Sequence, residues 1–280
     1  MIRRFLYHGF WNFYDYLGTY TFLGAAHVGA VLALFFTLSW AVGLPVVAKL
    51  SLLALVAAAL WALVAAGFAG FFPFAWKAAQ DLPARFPDVR VGMRRYFRRY
   101  LFISFFLGLI VAVIGANVRF YLWLGGEFSG SRVALACTII AAAFGWALLA
   151  FVGYATSVLI NVAVAESTAP LKPVLKRAFV SMAIAPGFWC FVLVFWLAVA
   201  ALCVLSHAGI IFILPGLASA SATAHRITSQ HGVFLAEARE HIGTGQRISA
   251  YQKKALELAE EWEARQPRRT FRELLKPWEY

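Results

Sequence analysis

Six apolar runs, each close to the roughly 20 residues that a helix needs to cross a hydrocarbon core, constrain this chain more than any motif does. They are Thr21–Leu44, Val46–Phe72, Leu101–Leu124, Val133–Val164, Pro186–Leu205 and Ala208–Ala224. Lipid offers no hydrogen bonds to a peptide group, so a single run of this kind must satisfy its own backbone as a helix. The expected fold class is all-α: a polytopic transmembrane helical bundle of about six spans. Val133–Val164 is longer than the bilayer requires and should tilt or project. Ala208–Ala224 is short, contains Pro215-Gly216 and carries Ser219, Ser221 and Thr223. For that run a full crossing and a re-entrant segment are both open.

Charge divides the chain. Only 14% of the residues are charged, against about a quarter in soluble domains. Residues 225–280 hold 10 of the 25 basic and 8 of the 13 acidic residues. This predicts a transmembrane domain over 1–224 and a cytoplasmic helical tail over 225–280. Met1–Tyr20 is aromatic and polar with no small-residue cleavage site, so a secretory signal is not expected there.

The net charge of +12 does not point to nucleic acid, because the basic residues flank apolar runs and no basic-aromatic module accompanies them. Seven Lys or Arg lie between Lys77 and Arg99, and Lys172, Lys176 and Arg177 form a second group. The connections Gly43–Pro45, Gly125–Arg132 and Ser206–Gly209 are poor in basic residues. The positive-inside rule then places both termini in the cytoplasm. Lys49, Arg119 and Arg132 fall on the outer side, and Arg119 can snorkel among Phe120, Tyr121 and Trp123. The expected location is a membrane crossed several times, with the lipid bilayer as the first partner.

Small residues repeat at four-residue spacing in Ala58-Ala62-Ala66-Gly70, Gly108-Ala112-Ala116 and Gly216-Ala220-Ala224. Such stripes let helix backbones approach in membranes, and they are also what an Ala- and Gly-rich chain yields by composition. A basic pair followed by an aromatic precedes a hairpin at Arg3-Arg4-Phe5, Arg98-Arg99-Tyr100 and Lys176-Arg177-Ala178-Phe179. Three units of interfacial helix plus hairpin would describe this pattern, with Lys172–Ala183 as one interfacial helix, broken at Ala185-Pro186-Gly187.

In the tail, Ser249-Ala250-Tyr251-Gln252 has capping-box spacing, and Ile248, Tyr251, Ala255, Leu258 and Trp262 fall on one helical face. Lys253/Glu257 and Glu261/Arg265 are spaced to pair. Thr270–Glu273 is a second capping box, opening a turn whose apolar face is Phe271, Leu274, Leu275 and Trp278. Trp262, Trp278, Leu258 and Phe271 are therefore the candidate interaction residues. They can pack on the body, the bilayer surface or another membrane protein subunit.

Ionisable groups at depth mark proton and ion pathways, and the central parts of the six runs contain no carboxylate. No metalloprotease, nucleophile-elbow or phosphate-loop motif is present. The reading is a protein that is not an enzyme and takes no cofactor. Cys137, Cys190 and Cys203 lie in apolar runs at no motif spacing and read as small, inert hydrophobes. His27 reads as a packed helix-contact residue. Asn117, Thr156, Ser157 and Asn161 could line a polar path, and read first as interhelical hydrogen-bonding groups. Glu166, with Asn161 beside it, is the candidate polar site at the membrane edge.

The segment Phe10-Trp11-Asn12-Phe13-Tyr14-Asp15-Tyr16-Leu17-Gly18, the run ending Gly43-Leu44-Pro45, and the ending Phe271-Arg272-Glu273-Leu274-Leu275-Lys276-Pro277-Trp278-Glu279 resemble the YesL-like family of bacterial six-helix membrane proteins. His27 and its small neighbours stand where that family carries an Asn-Leu-Leu-Trp run. The resemblance implies an inner-membrane protein of unknown function, thought of as an accessory to carbohydrate import. Three function classes follow: an accessory or structural subunit of a membrane assembly, a self-contained transporter or channel for a neutral solute, and, less favoured by the residues, a membrane-embedded enzyme.

Overall fold

The computed structural model describes residues 1–39, 45–165, 167–243 and 248–265. All regular structure among them is helical. The helices are α1 (Ile2–Asp15), α2 (Leu17–Ser39), α3 (Val46–Ala79), α4 (Phe86–Glu127), α5 (Arg132–Val164), α6 (Leu171–Ile184), α7 (Pro186–Leu205), a 3-10 helix (Ala208–Phe212), α8 (Ile213–Ile242) and α9 (Ile248–Ala264). Six segments are long and apolar enough to cross a membrane: those in α2, α3, α4, α5 and α7, and Gly209–Ile242. The protein is a multi-pass helical membrane protein, and each of the six apolar runs overlaps one of these segments among the described residues.

Local chemistry sets the helix ends. Asp88, in the first turn of α4, accepts from the Arg85 amide at 2.7 Å and from Lys77 Nζ at 2.9 Å, so one carboxylate caps α4 and ties it to α3. Ser131 Oγ accepts from the Ala134 amide and opens α5. Between α6 and α7, Ala185 adopts φ −147°, ψ 66°, and Pro186, which has no amide proton, begins α7. The break expected at Ala185-Pro186-Gly187 is therefore present. Trp189 Nε1 donates back to the Ser181 carbonyl at 3.1 Å and fixes the angle between the two helices.

The threefold description holds only in part. Short helices, α1 and α6, precede the first and third hairpins. In the second, the charged stretch Phe86–Arg99 runs unbroken into the span, giving a helix of 42 residues that is about 63 Å long. Nothing in Arg98-Arg99-Tyr100 stops a helix, whereas Tyr16 and Pro186 fall at the other two junctions.

The chain divides into two compact units, Met1–Arg226 and Ile227–Tyr280. In the first, the core gathers at one end of the long helices. It uses the second half of α3 (Ala65, Ala69, Phe72, Phe74), the first part of α4 (Val89, Tyr96, Tyr100) and the last turns of α5 (Val158, Ile160, Val162). Tyr100 is fully buried, and its hydroxyl donates to the Leu159 carbonyl at 2.8 Å. Toward their other ends the same helices expose large apolar side chains, among them Val47, Leu55, Val113, Trp123 and Trp146. In a bilayer those faces meet lipid rather than water.

The small-residue stripes are placed differently from expectation. Gly70 is buried, but Ala58, Ala112 and Ala116 are exposed. The close α3–α4 approach uses Gly70, where a Cβ would stand 2.9 Å from Val89 Cγ1, and Gly92, outside the stripes, where one would stand 2.6 Å from the Ala69 carbonyl oxygen. Gly108 faces the Trp61 ring rather than another small residue. Gly216 and Ala220 border an open hollow.

The sixth span begins as the 3-10 helix and continues as α8, with Pro215 in the first turn, where its missing amide is tolerated. From Ile213 to Ile242 the helix is uninterrupted, where a re-entrant segment would reverse direction. It does not stop at Ala224: the change in composition at His225 marks no change in backbone. In the second unit, Ala255 and Ala259 of α9 and Phe234 and Ala238 of α8 form a small core, with Leu235, Leu258 and Trp262 packed against it.

Candidate functional site

Three of the four polar side chains singled out in the spans bond back within their own helices. Asn117 Nδ2 donates to the Val113 carbonyl at 2.8 Å, Thr156 Oγ1 to Gly153 at 2.7 Å, and Asn161 Nδ2 to Ser157 at 2.8 Å. Of the four, Ser157 is the one that reaches a second helix, donating to the Ala178 carbonyl of α6 at 3.2 Å. The expectation of an interhelical bond is thus met at Ser157, while the bonds described for the other three close within their own helices. Their own-helix carbonyls lie one turn back and satisfy the donors without a neighbour. Asn161 is buried, and its proposed companion Glu166 lies outside the described residues.

The loop acids serve the fold. Asp88 caps α4, and Asp81 Oδ2 accepts from Arg226 Nη2 at 2.7 Å, while Arg226 Nη1 donates to the Ala79 carbonyl. Arg95 Nε donates to Ser167 Oγ at 3.1 Å. Among the described residues no cluster of three His, Cys, Asp or Glu side chains could hold a metal ion. Cys137 is buried, but Cys190 is exposed and Cys203 half-buried, so only one of the three is the buried hydrophobe expected.

Two hollows flank the junction where the 3-10 helix becomes α8. The larger, of about 570 Å³, lies between α1, α7 and α8, and its walls are Phe5, Phe10, Phe13, Phe195, Trp196 and Phe212. Gly9, Gly216 and Ala220 supply small surfaces, and Tyr14 and Ser219 are the hydroxyl-bearing side chains. The smaller, of about 490 Å³, is bounded by α2, the 3-10 helix and the start of α8. Val28, Val31, Phe35, Ile211 and Leu214 make it apolar, and His27 and His207 both border it.

His27 packs against Phe71, with ring centroids 6.5 Å apart, as a helix-contact histidine should. His207 was not singled out by sequence, because it sits in a polar turn 180 residues from His27. It has φ 54°, a left-handed value uncommon for a residue with a side chain. Its Nδ1 lies 3.1 Å from the Leu205 carbonyl oxygen, which can only accept, so the proton belongs on Nδ1. The pairing of two histidines at one hollow is visible only in three dimensions.

In the tail, Trp262 and Leu258 are turned inward onto α8, with the Phe234 and Trp262 ring centroids 6.5 Å apart. Ile248, expected on the same face, is exposed. Tyr251 donates to the Gly243 carbonyl at 2.9 Å. Because α9 starts at Ile248, Ser249 lies inside its first turn rather than at the cap. The ion pair formed is Lys254–Glu257 at 3.2 Å, one position from the Lys253 expected. Phe271, Trp278 and the second capping box lie outside the described residues. No family model, no curated protein and no solved structure matches the chain.

Proposed function

We propose that this chain is a non-catalytic accessory or structural subunit of a bacterial inner-membrane assembly, with both termini in the cytoplasm, and that the assembly serves solute import. The observation that carries this reading is the character of the two hollows. A solute pathway is lined by hydrogen-bonding or charged groups, whereas the larger hollow is walled by phenylalanine and tryptophan. Of the four side chains that could have lined a polar path, Asn117, Thr156 and Asn161 bond back to their own helices and Ser157 bonds to α6. Carbohydrate as the imported solute, and the accessory role itself, follow from the resemblance to the YesL-like family. The basic residues of α1, the Lys77–Arg99 stretch and α6 support the orientation.

A second reading, a transporter for a neutral solute, draws on one feature. The sixth span changes from 3-10 to α-helix at Ile213, between the hollows, where Pro215 removes one helical amide donor. Interrupted helices build midplane sites in transporters. Purification of the tagged chain from its native membrane in mild detergent, followed by reconstitution, separates the two. An accessory subunit retains other membrane subunits in fixed proportion, and the purified chain alone moves no sugar into liposomes. Sugar uptake by liposomes containing only this chain would overturn the accessory role.

A further inference from the structure

The larger hollow is lined by small residues on two of its helices, Gly9 on α1 and Gly216 and Ala220 on α8. A Cβ at Gly216 would meet no atom within 4 Å, and one at Gly9 would first meet Thr223 Cγ2 at 4.0 Å. Together with Ala220 these positions keep the space open between the aromatic walls of α1 and α7. The hollow of about 570 Å³ is open at the surface of the body and walled almost entirely by apolar side chains. In a bilayer the available filling is hydrocarbon.

The charge beside it narrows the choice. Arg3 is exposed and precedes Phe10 by seven residues, so both lie on one face of α1, with Leu6 between them. Leu6, Phe10 and Tyr14 all border the hollow. Arg3 therefore continues the lining face by one more turn, at the end of α1 that carries the basic pair. Among the described residues no acidic side chain borders the hollow. Basic residues at the mouth of an interhelical pocket on the cytoplasmic side select anionic headgroups.

We propose that this hollow holds an acyl chain of an anionic phospholipid, whose phosphate pairs with Arg3. The aromatic walls and the Gly216–Ala220 surface hold the chain, and Arg3 sets the preference for the headgroup. The site is built from α1, α7 and α8 together, so the lipid joins the first helix to the last hairpin of the body.

Native mass spectrometry on the full-length, detergent-purified protein tests this, with phosphatidylglycerol and phosphatidylcholine of identical chains as probes. Wild type should retain phosphatidylglycerol in preference to phosphatidylcholine, with one tight copy per chain. Arg3→Gln, at an exposed position that does not threaten folding, should weaken phosphatidylglycerol about fivefold, the worth of one basic residue near an anionic surface, and leave phosphatidylcholine unchanged. Gly216→Leu should abolish the tight copy. If that variant does not fold, quenching by brominated phosphatidylglycerol decides instead: Trp196→Phe should lose a quenched component that wild type shows. Equal retention of the two lipids, an unaltered preference in Arg3→Gln, a tight copy surviving in folded Gly216→Leu, or identical quenching in Trp196→Phe would each overturn the proposal.

Discussion

Gly92 of α4 lies against the carbonyl oxygen of Ala69 in α3, close enough that a Cβ would stand 2.6 Å from that oxygen. Pro73, four residues on, has no amide proton and cannot close the helical bond to Ala69. The arrangement recurs at the sixth span, where Pro215 leaves the Ile211 carbonyl without its i+4 donor and a Cβ at Gly24 of α2 would overlap that oxygen. In both places a glycine lets a neighbouring helix cover a carbonyl that proline has freed. Lipid would leave such an oxygen unsolvated.

Gly92→Val and Gly24→Val should therefore destabilise the body by about 1–3 kcal/mol each, the usual range for overpacking. Gly145→Ala, where nothing lies within 4 Å of the added carbon, serves as the control and should be neutral or mildly stabilising. Thermal unfolding in detergent reads the difference. Equal melting temperatures for Gly92→Val and Gly145→Ala would refute the contact.

Tyr100→Phe should weaken the α4–α5 contact by about 0.5–1.5 kcal/mol, because it removes the buried bond to the Leu159 carbonyl. Asn117→Ala should change stability little, since its bond closes within its own helix. A reversed order of the two effects would mean that Asn117 faces a partner outside the chain.

How much of this was legible in the sequence follows the physics of each feature. Span number and position were readable because apolar length alone decides them. The break before Pro186 was readable because proline is local punctuation. The packing faces were not. Ala58-Ala62-Ala66 has the right spacing, yet the contact at Gly92 depends on Pro73 in another helix and on where the two helices cross. His207 at the hollow beside His27, and the inward turn of Trp262, were hidden for the same reason: contacts remote in sequence leave no periodic trace in it. The uninterrupted α8 was obscured differently, since charge changes at His225 while helix propensity does not.

In the tail, amide exchange across Tyr251–Trp262 should be slow in wild type, because Ala255 and Ala259 are buried against α8. Trp262→Ala should accelerate it, removing a ring packed on Phe234 at a loss of about 1–2 kcal/mol. Unprotected exchange in wild type would mean that α9 does not pack.

Deleting residues 245–280 should leave a membrane-inserted body that no longer retains its partner subunits. Trp262 and Leu258 are occupied within the tail, so a partner docking on α9, as proposed, would meet its other side, which includes the exposed Leu256. Leu256→Asp in the full-length chain should reproduce the loss without disturbing the hairpin. Retention of partners by both variants would remove the tail from the docking role.

The arrangement of the chain in the membrane is tested most directly by single cysteines at Ser129, in the turn after α4, and Ser249, in α9, with Cys137, Cys190 and Cys203 replaced by alanine. In intact cells a membrane-impermeant maleimide should label the cysteine at position 129 and spare the one at 249 until the membrane is opened. Labelling at 249 from outside, or equal labelling at both positions, would contradict a six-span protein with its termini in the cytoplasm.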